Sequence, residues 1–256
     1  MTTKFESNRA IINPTEVISI VKNFNSQGTL LGNGKRNIIK LFDLNEETIN
    51  IKSFKIPHLI NKIAYKYFRK SKARRSFEFA SKLIEMQIGT PKPIAFFENY
   101  DAIGLKDSYY ACEHLENVFE FRDIVENKDF QNRELIIREF TQFTFGLHEK
   151  GIEFLDHSPG NTLIKKSTDG KCQFFLVDLN RMNFHESMDF NSRMKNFNRL
   201  TPQKEMIAIM SNEYSKWYTE KSETEIFNKM WQETHEFQEK FARKKRLKKK
   251  IKFWKK

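Results

Sequence analysis

Asp156 and Asn161, with Asp178 seventeen residues further on, constrain this 256-residue chain more than any other feature. The first segment reads Gly151-Ile-Glu-Phe-Leu-Asp156-His-Ser-Pro-Gly-Asn161-Thr-Leu-Ile, and the second reads Phe174-Phe-Leu-Val-Asp178-Leu-Asn-Arg181. Before them, Ile136, Phe140, Phe143 and Leu147 share one face of a predicted helix over 133–150, and Gly151 is its stop. Asp156 then falls at the start of a loop turned by Ser158, Pro159 and Gly160. Asn161 runs into an apolar strand. Asp178 ends an aromatic and aliphatic strand that reads as buried on both faces, where a carboxylate needs a metal or a donor. One carboxylate beside an acceptor hydroxyl, with an amide and a second carboxylate to hold a metal on phosphate groups, is what phosphoryl transfer asks of a protein. An Asp-x4-Asn alone is commonly a surface turn. The helix, the strand and Asp178 together favour the chemical reading.

The upstream half supplies matching pieces. Asn37–Phe42 and Thr48–Phe54 read as strands. Gly28, Gly32 and Gly34 precede the first and suit a tight phosphate-facing turn, although the spacing is not G-x-G-x-x-G and a plain hairpin turn fits as well. Lys52, late in the second strand, is the candidate for the nucleotide phosphates, with Lys55 as competitor. Residues 70–86 read as a helix with Ala73, Phe77, Ala80 and Ile84 as the buried stripe and Gly89 as the stop. Glu78 on that helix is placed to pair with the phosphate lysine. The competing reading is an exposed charge row with Arg74 and Lys82. No nucleophile elbow is present, the six His lack metal-ligand spacing, and His148 reads as structural.

Further strands are expected at 94–97 and 108–113, and helices at 204–218 and 223–245. This order gives an α+β chain in a two-lobed, protein-kinase-like layout. A small sheet-rich N-lobe spans 1–113, a larger helical C-lobe 114–240, and a basic tail 241–256, with the boundary near 113–118.

With these residues placed, the chain resembles the lipopolysaccharide kinases of the Kdo/WaaP family over roughly residues 28–200. The likeness lies in Ile51-Lys52, Glu78, Ile88-Gly-Thr-Pro-Lys-Pro-Ile94, Leu147-His148-x2-Gly-Ile152 and Val177-Asp-Leu-Asn-Arg181. It departs from the family at Phe154, where a His is usual, at His157-Ser158 and in the irregular glycine loop. The resemblance implies an ATP- and magnesium-dependent kinase for a Kdo or heptose hydroxyl of the lipopolysaccharide inner core. In it Asp156 acts on the acceptor, Asn161 and Asp178 bind metal, and Lys52, Glu78, Gly32 and Gly34 serve the nucleotide. A kinase for another acceptor (a small alcohol, an aminoglycoside-like molecule or a protein) and a catalytically silent, membrane-recruited relative are the alternatives.

Of the +12 net charge, ten positive charges lie in the last sixteen residues, which hold no acid and interleave Leu247, Ile251, Phe253 and Trp254. That pattern suits an anionic membrane surface; a solvated, disordered end is the plain alternative, and no specific nucleic-acid contact is expected. No apolar run approaches the roughly 18 residues of a membrane span, and the start has no signal-peptide core. The expected location is the cytoplasm, peripheral at the inner face of the inner membrane. The two Cys, 60 residues apart, read as buried free thiols.

Overall fold

The computed structural model describes residues 2–7, 14–32, 37–44, 47–56, 58–168 and 170–253, with backbone alone at 14 and 249–253. The chain divides into two compact units: Met1–Asn117 with Phe175–Asn180, and Val118–Phe174 with Arg181–Lys256. The sequence boundary did not anticipate the short return of 175–180 to the first unit.

The first unit runs β1 (Thr2–Ser7), α1 (Pro14–Lys22), β2 (Thr29–Leu31), β3 (Ile38–Leu44), β4 (Glu47–Ser53), α2 (Leu59–Tyr67), α3 (Lys72–Glu85), β5 (Pro93–Tyr100) and β6 (Leu105–Glu113). Its six-stranded sheet has the order β1-β5-β6-β4-β3-β2, with antiparallel pairing throughout. Apolar side chains decide its faces. Ile49 and Ile51 of β4 point into a core shared with Val17, Val21, Phe42, Ile94 and Phe97, so Lys52 points the other way. On that other face α3 packs Phe77 against Phe96 of β5, with ring centroids 5.3 Å apart.

Helix α3 corrects two expectations. Its buried stripe uses Leu83, and Ile84 is exposed. The helix stops at Gln87, which takes the left-handed conformation (φ 58°), while the Ile88 amide donates to the Leu83 carbonyl. Gly89 is not the stop. Its carbonyl instead accepts from the Leu176 amide at 2.8 Å, and the Thr90 hydroxyl donates to the Leu176 carbonyl at 2.8 Å. These bonds tie segment 175–180 to the first unit. Cys112 is buried and Cys172 half-buried, both as free thiols, and burial pushes their pKa values up to about 12 and about 11.

The second unit contains β7 (Val118–Glu120), α4 (Phe121–Glu126), α5 (Arg133–Glu149), β8 (Ile152–Phe154), a 3₁₀ turn at Pro159–Asn161, β9 (Thr162–Lys166), β10 (Cys172–Leu176), β11 (Met182–Phe184), α6 (Phe190–Asn196), α7 (Lys204–Ser215) and α8 (Glu223–Phe253). The abundant Phe are core material here. Phe121 stacks on Phe140 at 3.9 Å, and Phe174 packs against Phe140 and Phe143. Phe143 is only partly buried; Ile137, Thr141 and Thr144 complete the inward face of α5. Where it is described the basic segment is helical, because α8 continues through Phe253, and residues 241–248 are exposed.

Gly151 stops α5 as expected, with φ 67°. A Cβ there would lie 2.0 Å from the His185 carbonyl oxygen, across the pairing of β8 with β11. Gly151→Ala combines left-handed strain with a backbone clash. It should destabilise the protein by about 3 kcal/mol or more, read as a lower urea midpoint or loss of soluble expression.

Candidate active site

In the first unit, Lys52 and Asp178 come together. The Lys52 ammonium lies 2.6 Å from Asp178 Oδ1, with side-chain exposures of 14% and 40%. Lys52 sits opposite Ile39 of β3 and Tyr110 of β6, a register that directs its stem away from the apolar core. Lys55 lies beyond the end of β4 and is exposed. Asp178 is not the end of a strand buried on both faces. Strand β10 stops at Leu176, and Phe174 and Leu176 are buried while Phe175 and Val177 are partly exposed. Asp178 instead holds a left-handed backbone (φ 58°), which Asp tolerates better than most residues, and the Asn180 amide donates to its Oδ1. Both neighbours use Oδ1, leaving Oδ2 for a further partner.

Glu78 is not paired with Lys52. Its carboxylate is held by Lys70 at 2.8 Å and Arg74 at 2.9 Å. Burial pushes its pKa up, but these two bonds outweigh that and hold it below the usual carboxylate range. Gly32 follows β2 with φ 79° and open space where a Cβ would sit, at the start of the β2–β3 turn. Gly34 lies outside the described residues. Gly28 turns the chain into β2, where a Cβ would meet the Phe42 ring at 2.5 Å.

In the second unit, Asp156 follows β8, and Asn161 closes the 3₁₀ turn after it. The Asn161 Nδ2 donates to the Asp156 carbonyl at 2.8 Å. That fixes the amide plane and leaves its Oδ1 free to act as a ligand. Two arginines grip Asp156: Arg199 Nη1 at 2.5 Å and Arg181 Nη1 at 3.3 Å, both on Oδ1. Arg199 also donates to the Leu155 carbonyl at 3.0 Å and lies over the Phe237 ring of α8. Sequence pattern assigns no role to Arg181 and carries no signal for Arg199, which is 43 residues from Asp156.

A buried polar set supports this loop. The His148 ring contacts the Tyr214 hydroxyl at 2.9 Å and Asn196 Oδ1 at 3.2 Å, and Asn196 Nδ2 donates to the Phe154 carbonyl at 2.9 Å. His148 is structural, as expected. His157 is buried between the Phe140 and Phe154 rings. Phe154 is buried and packs on the His157 ring.

The residues present fit a divalent metal and nucleotide on the chemistry of their donors. Among the described residues no cluster of three or more His, Cys, Asp or Glu would hold a metal alone. Asp178 in the first unit and Asn161 in the second each carry an oxygen of the kind a hard cation takes.

The profile of the Lipopolysaccharide kinase (Kdo/WaaP) family matches residues 32–236. The chain belongs to this family. A solved structure described as WaaP in complex with acyl carrier protein has TM-score 0.61 and 12% identity, covering 94% of this chain and 98% of that one. At that identity the likeness establishes the fold, an α+β kinase-like one. The Rio2 kinase–ADP/Mg2+–phosphoaspartate complex from Chaetomium thermophilum also matches, with TM-score 0.47 and 13% identity over 84% of this chain and 65% of that one, too low for argument. The comparison with curated protein sequences finds no match. The kinase is a phosphotransferase of lipopolysaccharide. Among its described residues no helix is long and apolar enough to cross a membrane.

Burial holds His148 and His157 at pKa values of about 3 and about 4, below the ordinary 6.5. The unfolded chain therefore takes up protons first, and stability falls as pH drops from 6.5 towards 4. Each histidine should cost about 2 kcal/mol between pH 6.5 and 5. Urea melts across that range should show the slope, and His148→Gln should reduce it by about one proton.

Proposed function

We propose that this kinase transfers the terminal phosphoryl group of ATP, with Mg2+, to a Kdo or heptose hydroxyl of the lipopolysaccharide inner core. The 2.6 Å pair between Lys52 and Asp178 carries the reading, because it sets a cation for phosphate oxygens beside a carboxylate for metal. Lys52 holds the nucleotide phosphates. Asp178 and Asn161 would each offer an oxygen to a bound metal. Asp156, braced by Arg181 and Arg199, orients the acceptor hydroxyl through Oδ2 and takes up its proton. Bound magnesium would neutralise charge on the transferring phosphoryl group. Two arginines on one oxygen hold Asp156 in one orientation, which suits a loose transition state that asks mainly for positioning. Gly32, which follows β2 with a left-handed backbone, is assigned to the nucleotide phosphates. Glu78 belongs to the Lys70–Arg74 cluster and stands outside the phosphate set.

The acceptor is a membrane glycolipid, so we place the kinase at the inner face of the inner membrane. Residues 241–248 support this: they are exposed and largely cationic, and like charges at helical spacing repel unless an anionic surface relieves them.

Asp156→Ala and Asp178→Asn should each lower phosphoryl transfer by roughly a hundredfold or more, about 3 kcal/mol in the barrier, in a folded protein. Asn is chosen at 178 because it accepts the left-handed backbone. Near-normal rates on purified acceptor in both variants would refute the assignment. Lys52→Ala should raise the KM for ATP or lower kcat, while Lys55→Ala does little. Mass spectrometry of the lipid A–core from cells with and without the gene should show one phosphate lost; an unchanged core would point to another acceptor.

A further inference from the structure

Helix α2 is inside out. Its lysines face the protein: Lys62 pairs with Asp101 at 3.5 Å, and Lys66 donates to the Ala102 carbonyl at 3.0 Å. The helix lies so close to the β5–β6 turn that a Cβ on Gly104 would be 2.5 Å from the Lys62 carbonyl oxygen. Its aliphatic and aromatic side chains face solvent instead. Leu59 is 59% exposed, Ile60 83%, Tyr67 65% and the following Phe68 83%, with Ile56 and Ile63 exposed beside them. No residue of α2 is buried. A helix held by its polar side does not turn its apolar side out for the sake of its own fold.

The chemistry around this face narrows what covers it. From Thr48 to Phe77 the chain carries nine Lys or Arg and no acid. At the C-terminal end of α2 a cavity of about 220 Å³ is lined by Lys4, Arg69, Lys70, Arg74, Glu98 and Tyr100. Lys70 and Arg74 already serve Glu78, and Lys4 stands over the Tyr100 ring, 5.2 Å from its centroid. Apolar side chains with aromatics at one end, bordered by cations, match the boundary between acyl chains and anionic headgroups. A second copy of the chain would set the same cations against each other.

We propose that the exposed face of α2, with Ile56 and Phe68, docks on an anionic phospholipid bilayer, with headgroup phosphates taken by the cations around the adjoining cavity. This is a membrane contact separate from the C-terminal helix, and it does not depend on which sugar is phosphorylated.

Full-length Ile60→Trp, read against the unsubstituted protein, tests it locally. With phosphatidylglycerol vesicles the added emission should shift to the blue and be quenched by brominated acyl chains. Phosphatidylcholine vesicles should do neither. Full-length Ile60→Ser/Ile63→Ser/Phe68→Ser changes only exposed side chains, so its thermal midpoint should be kept while partition onto the anionic vesicles falls by roughly tenfold. An unshifted Trp at 60 while the protein sediments with vesicles would leave binding to α8 alone and overturn the proposal. So would unchanged partition of the triple variant. A blue shift that grows with protein concentration without lipid, with a dimer in light scattering, would give the face to a second copy and also overturn it.

Discussion

The contact between Lys52 and Asp178 depends on a short piece of chain returning to a sheet it left some sixty residues earlier. Leu176 hydrogen-bonds Gly89, and Thr90 hydrogen-bonds Leu176, so segment 175–180 is fastened at the loop after α3. Only then does a carboxylate reach the ammonium at 2.6 Å. With 14% of its side chain exposed, Lys52 keeps little water of its own, and Asp178 supplies the partner for its charge. The left-handed backbone of Asp178 costs about 1–2 kcal/mol for an ordinary residue, less for Asp, and bonds to Lys52 and Asn180 hold it. Pairing and backbone strain are therefore one arrangement, and loss of the Gly89–Leu176 bonds would release both.

The second unit secures its half of the chemistry differently. The loop that carries Asp156 and Asn161 is seated on a buried polar set and not tethered through one pair. His148, Asn196 and Tyr214 interlock, and the free amide of Asn196 reaches the carbonyl two residues before Asp156. Such a set is stable only when every member is satisfied and His148 stays neutral. Arg199 adds the second brace by holding both the Leu155 carbonyl and the Asp156 carboxylate.

Local pattern carried much of this into view. The apolar period of α5, the glycine that ends it, the strands around Lys52 and the Asp-x4-Asn loop are all set by neighbours within a few residues, so the sequence displays them. What was hidden depends on distant partners or on breaking a local rule. Gln87 does a glycine's task at the end of α3, and composition cannot announce that. Helix α2 went unread because its apolar side faces water. Glu78 was weighed between a phosphate lysine and a charge row. It proved to belong to a cluster with Arg74, one of the row's members, and with Lys70, which was not considered. Asp178 was credited with a burial that the alternation of β10 does not supply. Arg199 lies far along the chain from its carboxylate, and no spacing rule reaches that distance.

The C-terminal helix has a mechanical consequence. Its 31 residues span about 46 Å, and it passes without interruption from Phe237, which lies under Arg199, into the cationic end. A flexible appendage would only keep an enzyme near a surface. On the proposal that the charged end of α8 meets a membrane, a continuous helix would also transmit heading to the guanidinium resting on Phe237 and to the carboxylate that guanidinium holds. A glycine pair inserted after residue 241 would keep every charge while breaking the helix between its packed part and its cationic end.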